Sequence, residues 1–168
     1  MKISSPEFKN NETIPLMYTC ESDNINPELI FSDVPHATKS LVLIVEDPDA
    51  EAKPWVHWLV FNIPPAAKGI EENSIPEGAV EGLCSGNSSG YEGPCPPSGT
   101  HHYHFKLYAL SKILNISAAS DRKAVLKEMH GHVIAEAELV GLYEKTKGTG
   151  KSPERRGKED SKGKKQKI

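Results

Sequence analysis

Two separate segments of the chain carry the side chains with the strongest potential for chemistry. The first begins at Asp47 and continues into the sequence Trp-Val-His-Trp at 55–58, and the second is a loop rich in glycine and proline at 90–99 that leads into His101. In each segment, acids or prolines in a turn accompany a histidine that enters an apolar, strand-like sequence. Carboxylates and imidazoles held on rigid turns at one end of a sheet can form a small polar pocket for a compact charged ligand.

Each of these side chains also has an ordinary structural explanation. Asp47 directly follows a predicted strand, so its carboxylate can simply accept hydrogen bonds from the amides of the turn, and Asp49 fits that role better still. His57 lies in an apolar strand, where a buried imidazole needs partners for its ring nitrogens. The loop 93–99 has prolines that fix φ and glycines with free amides, which suits a hairpin turn or an anion cradle. From these residues alone both interpretations stay open.

Catalytic interpretations of the sequence are weaker. Residues 86–90 formally match the GxSxG elbow of hydrolases, but the prolines that follow prevent the helix that this elbow requires. Asp47, His57 and His101, or His102 and His104 on one strand face, could ligate a metal, yet no spacing typical of zinc is present. An Asp–His pair could serve acid–base catalysis, but no nucleophile or cofactor motif accompanies it. The sequence therefore predicts a protein that is not an enzyme and has no cofactor or metal.

The elements that must position these side chains are mainly strands. Residues 40–45 form a β-branched sequence between prolines, which predicts a strand buried on both faces. Residues 55–63 and 102–110 are rich in aromatic and β-branched side chains, and in the second of them every other residue from Tyr103 onward is apolar. Residues 133–141 alternate in the same way. Each of these segments is predicted to be a strand.

Two details of these elements carry further expectations. Strict alternation along the strand 55–63 would put Trp55, His57 and Leu59 on one face. One helix is predicted over 120–131, with Ser120 as its N-terminal cap and a glycine beyond its end. Strands separated by loops rich in proline and glycine predict a mainly β fold, an antiparallel β-sandwich with one or two minor helices.

Charge divides the chain into an acidic body and a basic tail. The 168 residues predict one domain at 1–145. The tail at 146–168 has nine Lys or Arg and three Asp or Glu, for a net charge of +6 in a chain of net charge −3, and its few apolar residues predict disorder. Three roles for the tail stay open: a solvated segment without a partner, weak contact with nucleic acid or an anionic surface, or a tether to the acidic body. Nothing in the body indicates nucleic-acid recognition.

The cysteines and the N-terminal segment indicate a compartment. Cys20, Cys84 and Cys95 match neither a disulfide framework nor a zinc pattern. No signal peptide is visible, and no apolar stretch reaches the ~18 residues of a transmembrane helix. A cytoplasmic protein with free thiols is therefore expected, because the cytoplasm disfavours disulfides. A bridge between Cys84 and Cys95 stays open as an alternative.

Together, the two segments resemble the signatures of the phosphatidylethanolamine-binding protein family, also called the Raf kinase inhibitor protein family, and in particular its bacterial and archaeal branch. The first signature resembles Asp47-Pro-Asp-Ala with Trp-Val-His-Trp at 55–58, and the second resembles residues 93–103. The resemblance spans residues 1–144 and leaves out the basic tail. One departure is His102, which stands where many relatives carry arginine.

The resemblance implies an antiparallel β-sandwich with a small anion-binding pocket at one end. The ligand that it implies is a small phosphate or carboxylate, or a phospholipid head group of the phosphorylethanolamine kind. On this basis the predicted ligand-binding residues are Asp47, Trp55, His57, Gly93, Pro96, His101 and Tyr103. The predicted role is that of a binding or regulatory protein. An inhibitor of a kinase or protease that uses the pocket as a docking point, and an uncharacterised hydrolase, are the alternatives. A homodimer is expected by analogy with relatives.

Overall fold

The fold consists of two β-sheets packed face to face. The structure, a computed structural model, describes residues 1–52 and 54–146. Of the basic tail predicted at 146–168, all but the first residue therefore lies outside the described residues. A short 3₁₀ turn, Leu16–Tyr18, and one helix, α1 (Arg122–Met129), accompany the strands. The strands of the described residues are β1 (Lys2–Ser4), β2 (Glu12–Thr13), β3 (Leu29–Ser32), β4 (Ser40–Asp47), β5 (Trp55–Ile63), β6 (Gly69–Ile70), β7 (Val80–Glu81), β8 (Thr100–Leu110) and β9 (Val133–Glu144).

The larger sheet carries the two predicted segments. Its strand order is β2-β9-β8-β4-β5-β7, and the smaller sheet has the order β1-β3-β6. The strand pairs are antiparallel, except that β2 runs parallel to β9. Apolar side chains between the sheets, among them Phe31, Trp58 and Phe105, form the main core. The predicted mainly β sandwich is confirmed, and it contains one parallel pair.

Strand β4 is buried along its whole length, from Ser40 to Asp47. Its edges pair with β5 and β8. One face lies in the core between the sheets, and on the other face Val42 and Ile44 belong to an apolar cluster with residues of α1. This confirms the predicted strand with two buried faces. Because Asp47 is its last residue, a carboxylate is held at the end of a rigid, buried element.

Helix α1 begins later than predicted. Its N-cap is Asp121, whose side chain accepts a hydrogen bond from the backbone N–H of Ala124 at 2.9 Å. Ser120 as the cap is therefore wrong, because the carboxylate one residue later satisfies the free amide of the first turn. Gly131, with φ of +77°, does lie just beyond the end of the helix. In the described part of the chain no helix is long and apolar enough to cross a membrane.

The strict alternation predicted along β5 is wrong at His57. Val45 pairs with Trp58 whereas Glu46 pairs with Val56, so His57 is an extra residue in a β-bulge. A bulge sets two residues against one on the neighbouring strand, which breaks the alternation of side chains. As a result, the side chains before and after His57 pack on opposite faces of the sheet.

Candidate functional site

A cavity of about 690 Å³ lies where one end of the larger sheet meets the turn after β4 and the loop before β8. Antiparallel pairing brings the end of β4 beside the beginnings of β5 and β8, since Asp47 pairs with Trp55 and Glu46 pairs with His104. The side chains or backbone of all seven residues predicted to bind a ligand line this cavity: Asp47, Trp55, His57, Gly93, Pro96, His101 and Tyr103. Their role in binding stays a prediction.

Asp47 orients His101. One carboxylate oxygen, Oδ2, accepts a hydrogen bond from Nδ1 of His101 at 2.6 Å, and Oδ1 accepts one from the backbone N–H of Asp49 at 2.8 Å. The structural explanation of Asp47 is confirmed by the turn contact, and the same side chain also fixes the imidazole of His101, while a role in ligand binding stays a prediction. With Nδ1–H engaged, Nε2 is the ring nitrogen of His101 that remains for a ligand.

His57 is held by the opposite wall of the cavity. Its Nδ1–H donates to the carbonyl oxygen of Glu92 at 2.7 Å, and its ring meets Tyr103 edge to face at 5.1 Å between centroids. Burial lowers the pKa of His57 below its ordinary value, although the Glu92 carbonyl opposes this change. His57 is therefore neutral at pH 7, and its Nε2 is a hydrogen-bond acceptor.

Neutral, buried His57 should make the protein less stable in mildly acidic solution. Its pKa in the folded state lies below 6.5, so the unfolded chain takes up a proton first as the pH falls. The free energy of unfolding should decrease below pH 6.5 and level off once the pH passes the folded-state pKa, by at most about 1.4 kcal/mol per pH unit. Urea denaturation between pH 8 and pH 5 measures this decrease.

Two histidine variants make this pH prediction specific. His57→Gln keeps a side-chain N–H for the Glu92 carbonyl but does not titrate, and it should show a shallower decrease than the wild type. His130→Gln changes an exposed histidine beyond α1 and should follow the wild type. Equal slopes in the wild type and His57→Gln would contradict the assignment.

Tyr103 lines the cavity and carries a buried hydroxyl. The residue is 1% exposed, and its hydroxyl proton has no acceptor among the described residues, although the backbone N–H of Cys95 lies near the hydroxyl oxygen. Its ring lies between the two imidazoles, stacked at 6.5 Å on His101. Burial raises the pKa of Tyr103, so the hydroxyl keeps its proton and remains a donor. A buried hydroxyl without a partner costs about 1–3 kcal/mol, and an acceptor oxygen in the cavity would remove that cost.

The loop before β8 forms a wall of the cavity by docking on residues 18–24, a segment whose sequence has no pattern that indicates a site. The backbone N–H of Gly93 donates to Oδ1 of Asn24 at 2.8 Å, and the backbone N–H of Cys20 donates to the carbonyl of Pro94 at 3.1 Å. A disulfide joins Cys20 to Cys95, with 5.5 Å between their Cα atoms. In the sequence of residues 18–24, Cys20 was the one residue that could have indicated a link to this loop.

This disulfide corrects two expectations about the cysteines. The prediction of free thiols is wrong for Cys20 and Cys95, and the alternative bridge between Cys84 and Cys95 is wrong as well. Cys84 is close to Cys95 in sequence but is buried, and its thiol donates to the carbonyl oxygens of His57 and Gly90 at 3.4 and 3.2 Å. Tertiary packing, and not distance along the chain, therefore decides which cysteine pairs with Cys95.

The mouth of the cavity is acidic. Asp49 and Glu51 lie there, and the described residues that line the cavity include no lysine or arginine. Oδ2 of Asp49 accepts hydrogen bonds from the backbone N–H and from Nδ1 of His102, at 2.8 and 2.7 Å, and the bond from the His102 ring lowers the pKa of Asp49. His102, which departs from the family pattern, therefore uses both its backbone N–H and its Nδ1 to bond Asp49. A compact ligand that also carries a positive group suits this mouth better than a polyanion.

The histidines considered for metal binding belong to separate pairs. His102 contacts Asp49, whereas Nδ1 of His104 lies 3.2 Å from a carboxylate oxygen of Glu138. Within residues 1–52 and 54–146, no group of three or more histidine, cysteine or acidic side chains converges as metal ligands would.

Fold and site together define a class of protein: a β-sandwich with a pocket at one end of its larger sheet, built from the ends of three neighbouring strands and closed by a loop rich in proline. A family model described as phosphatidylethanolamine-binding protein matches residues 4–144. The chain belongs to this family, in its bacterial and archaeal branch.

Relatives and solved structures support this membership. The chain is 46% identical over 148 residues to a UPF0098 protein of Methanothermobacter thermautotrophicus, which covers 85% of this chain and 98% of that protein. The crystal structure of the phosphatidylethanolamine-binding protein homologue CT736 from Chlamydia trachomatis is similar, with a TM-score of 0.83 and 42% identity over 86% of this chain and 97% of that one. YbcL of E. coli, described as a member of the mammalian family, has a TM-score of 0.81 and 33% identity over 86% and 98%.

Proposed function

We propose that this protein is a non-enzymatic binding protein whose pocket takes a small phosphate- or carboxylate-bearing group of the phosphorylethanolamine kind. The observation that carries the proposal is Tyr103, which lines the cavity, packs its ring on His57 and His101, and carries a buried hydroxyl whose proton has no acceptor in the described protein. A ligand oxygen at this point accepts the hydrogen bond that the folded chain does not supply. The acidic mouth, with Asp49 and Glu51, accommodates an ammonium group on the same ligand.

The chemistry of the two imidazoles narrows the ligand further. Nε2 of His57 is an acceptor at neutral pH, so it bonds an oxygen that carries a proton, such as that of a monoprotonated phosphate. His101 is fixed by Asp47 and presents one ring nitrogen to the ligand. The proposed ligand is therefore small and partly protonated, with oxygens that both donate and accept hydrogen bonds.

A single deletion of the Tyr103 hydroxyl tests the proposal. In Tyr103→Phe the affinity for inorganic phosphate and phosphorylethanolamine should fall about tenfold, which corresponds to about 1.4 kcal/mol. The free energy of unfolding of the unliganded protein should rise by about 1 kcal/mol, because the variant no longer buries an unpaired hydroxyl. Calorimetric titration and urea denaturation measure the two effects, which have opposite signs.

Tyr108→Phe is the matched control. Tyr108 lies on the same strand but on the outer face of the sheet, away from the cavity, so its replacement should leave phosphate binding unchanged. Unchanged affinity in Tyr103→Phe would refute the role of the hydroxyl. Absence of any heat when phosphate, acetate and phosphorylethanolamine are added to the wild type would refute the ligand class.

Cytoplasmic location and homodimer formation belong to this proposal and stay predictions. In the cytoplasm the pocket would bind a phosphorylated small molecule or head group. The alternative regulatory role is inhibition of a kinase or protease through the same pocket. If partners captured by the wild type still bind a protein with His57→Ala and His101→Ala, the inhibitory contact lies outside the pocket.

A further inference from the structure

We infer that the Cys20–Cys95 disulfide is a site of reversible thiol–disulfide exchange, and that its reduction loosens one wall of the pocket. Both cysteines line the cavity and both are exposed, so a small thiol reaches the bond from solvent. The consequence for ligand affinity rests on the proposed function, whereas the exchange and the movement of the wall do not.

Hydrogen bonds fix only the first part of this wall. The hydroxyl of Tyr91 donates to the carbonyl of Tyr18 at 2.8 Å, and the Gly93 amide donates to the side chain of Asn24. The last such contact is the one between the Cys20 amide and the carbonyl of Pro94. Residues 91–94 are therefore held whether or not the disulfide is intact.

The second part of the wall, residues 96–99, depends on the disulfide. Pro96 and Pro97 have no backbone N–H to donate. Among the described residues, no hydrogen bond joins 96–99 to another segment, and pairing with β9 resumes only at Thr100. Pro96 is nevertheless buried at the cavity. Apart from the burial of Pro96, the covalent bond at Cys95 is therefore the contact that ties this segment to residues 18–24 between Pro94 and Thr100.

The reaction is a two-electron exchange with a dithiol reductant. A thiolate of the reductant attacks one sulfur of the pair, the protein S–S bond breaks, and a mixed disulfide forms while the released cysteine takes up a proton. The second thiol of the reductant then displaces the other cysteine and leaves as part of an oxidised reductant. The protein gains two electrons and two protons. In the proposed cytoplasmic setting, the cellular thiol pool is a co-reactant of this class.

Cys84 offers an internal contrast. It is buried, and burial raises the pKa of its thiol to about 12, so it stays protonated and shielded. In the folded protein, a reagent that modifies only exposed thiols will therefore react with Cys20 and Cys95 after their reduction and not with Cys84.

The experiment compares the full chain with and without dithiothreitol. Iodoacetamide under native conditions should modify two cysteines after reduction and none before. Amide NMR signals of Ser98, Gly99 and Tyr103 should shift on reduction, while the signal of Gly93 and signals from the middle of β4 should stay in place and report an intact fold. The affinity for inorganic phosphate should fall at least fivefold.

Two variants control the comparison. Cys20→Ser/Cys95→Ser should show the spectrum and phosphate affinity of the reduced protein whether or not dithiothreitol is present. Cys84→Ser should respond to reduction as the wild type does. A disulfide that resists native reduction, or pocket signals that do not move, would overturn the inference. If the NMR signals of the pocket shift but the affinity for phosphate does not change, the disulfide does not control binding. If the oxidised wild type fails to bind phosphate, that result counts against the proposed function alone.

Discussion

Replacing Gly93 by alanine is expected to lower the free energy of unfolding by about 3 kcal/mol and to weaken phosphate binding at the same time. A Cβ atom on Gly93 would lie 2.3 Å from the carbonyl oxygen of Tyr18 and 2.9 Å from Cα of Thr19. Both are backbone atoms, so no side-chain rotation relieves the overlap, and the two segments must separate. That separation also breaks the hydrogen bond from Gly93 to Asn24. Urea denaturation and phosphate titration measure the two losses.

Gly99→Ala is the matched control in the same loop. Gly99 has φ of +71°, and a Cβ there meets no atom within 4 Å, so the cost is only the strain of a left-handed backbone, about 1 kcal/mol. An equal loss of stability in the two variants would mean that loop strain, and not close contact with residues 18–24, explains the need for glycine at position 93.

The strands could be predicted because their signal is local. In β8 every other side chain from Tyr103 to Leu107 is buried, and in β4 a continuous apolar sequence matches two covered faces. The bulge at His57 could not be predicted, because it arises from the register between β4 and β5. Such a register depends on the tertiary fold and leaves no trace in the alternation of residues.

The residues of the candidate site also fall into two groups, those that could be predicted from the sequence and those that could not. Asp47 and His101 stand at strand ends, but it was the family resemblance that predicted that they line one pocket, and the pairing of β4 with β8 brings them together. Cys20 and Asn24 belong to a segment without periodic pattern, and the disulfide spans 75 residues of sequence. Only packing of the first 30 residues against the loop before β8 reveals that they line the cavity. The family resemblance included Tyr103, but the unpaired state of its hydroxyl required coordinates.

The structure also changes the electrostatic picture of the pocket. The sequence suggested an anion site, but the described cavity lining pairs a neutral His57 with the carboxylates of Asp47, Asp49 and Glu51. For the proposed ligand, hydrogen bonding to a protonated oxygen is therefore expected to contribute more than attraction by a positive charge among the described lining residues. This favours zwitterionic ligands over free polyanions, which the comparison of phosphorylethanolamine with inorganic phosphate tests directly.

Removing the disulfide with Cys20→Ser/Cys95→Ser is expected to lower the free energy of unfolding by about 4 kcal/mol. The bond closes a loop of 75 residues, and the chain-entropy estimate for a loop of this size is about 4 kcal/mol. Guanidinium denaturation measures the loss, and the wild type in dithiothreitol should match the serine variant. A loss below about 1 kcal/mol would contradict the estimate and would mean that the unfolded chain gains little freedom when the bond is absent.

The disulfide and Gly93 act on the same wall, so their effects on stability should not add. In Gly93→Ala the hydrogen bond from residue 93 to Asn24 is already broken, so without the covalent bond the loop before β8 can move away from Tyr18 and relieve part of the overlap created by the Cβ. Gly93→Ala should therefore cost at least 0.5 kcal/mol less in the serine variant than in the wild type, within the usual range for coupled neighbours, about 0.5–3 kcal/mol. Gly131→Ala, beyond α1 and away from this wall, should cost the same in both backgrounds. Additive effects of Gly93→Ala and disulfide removal would show that the wall stays in place without the bond.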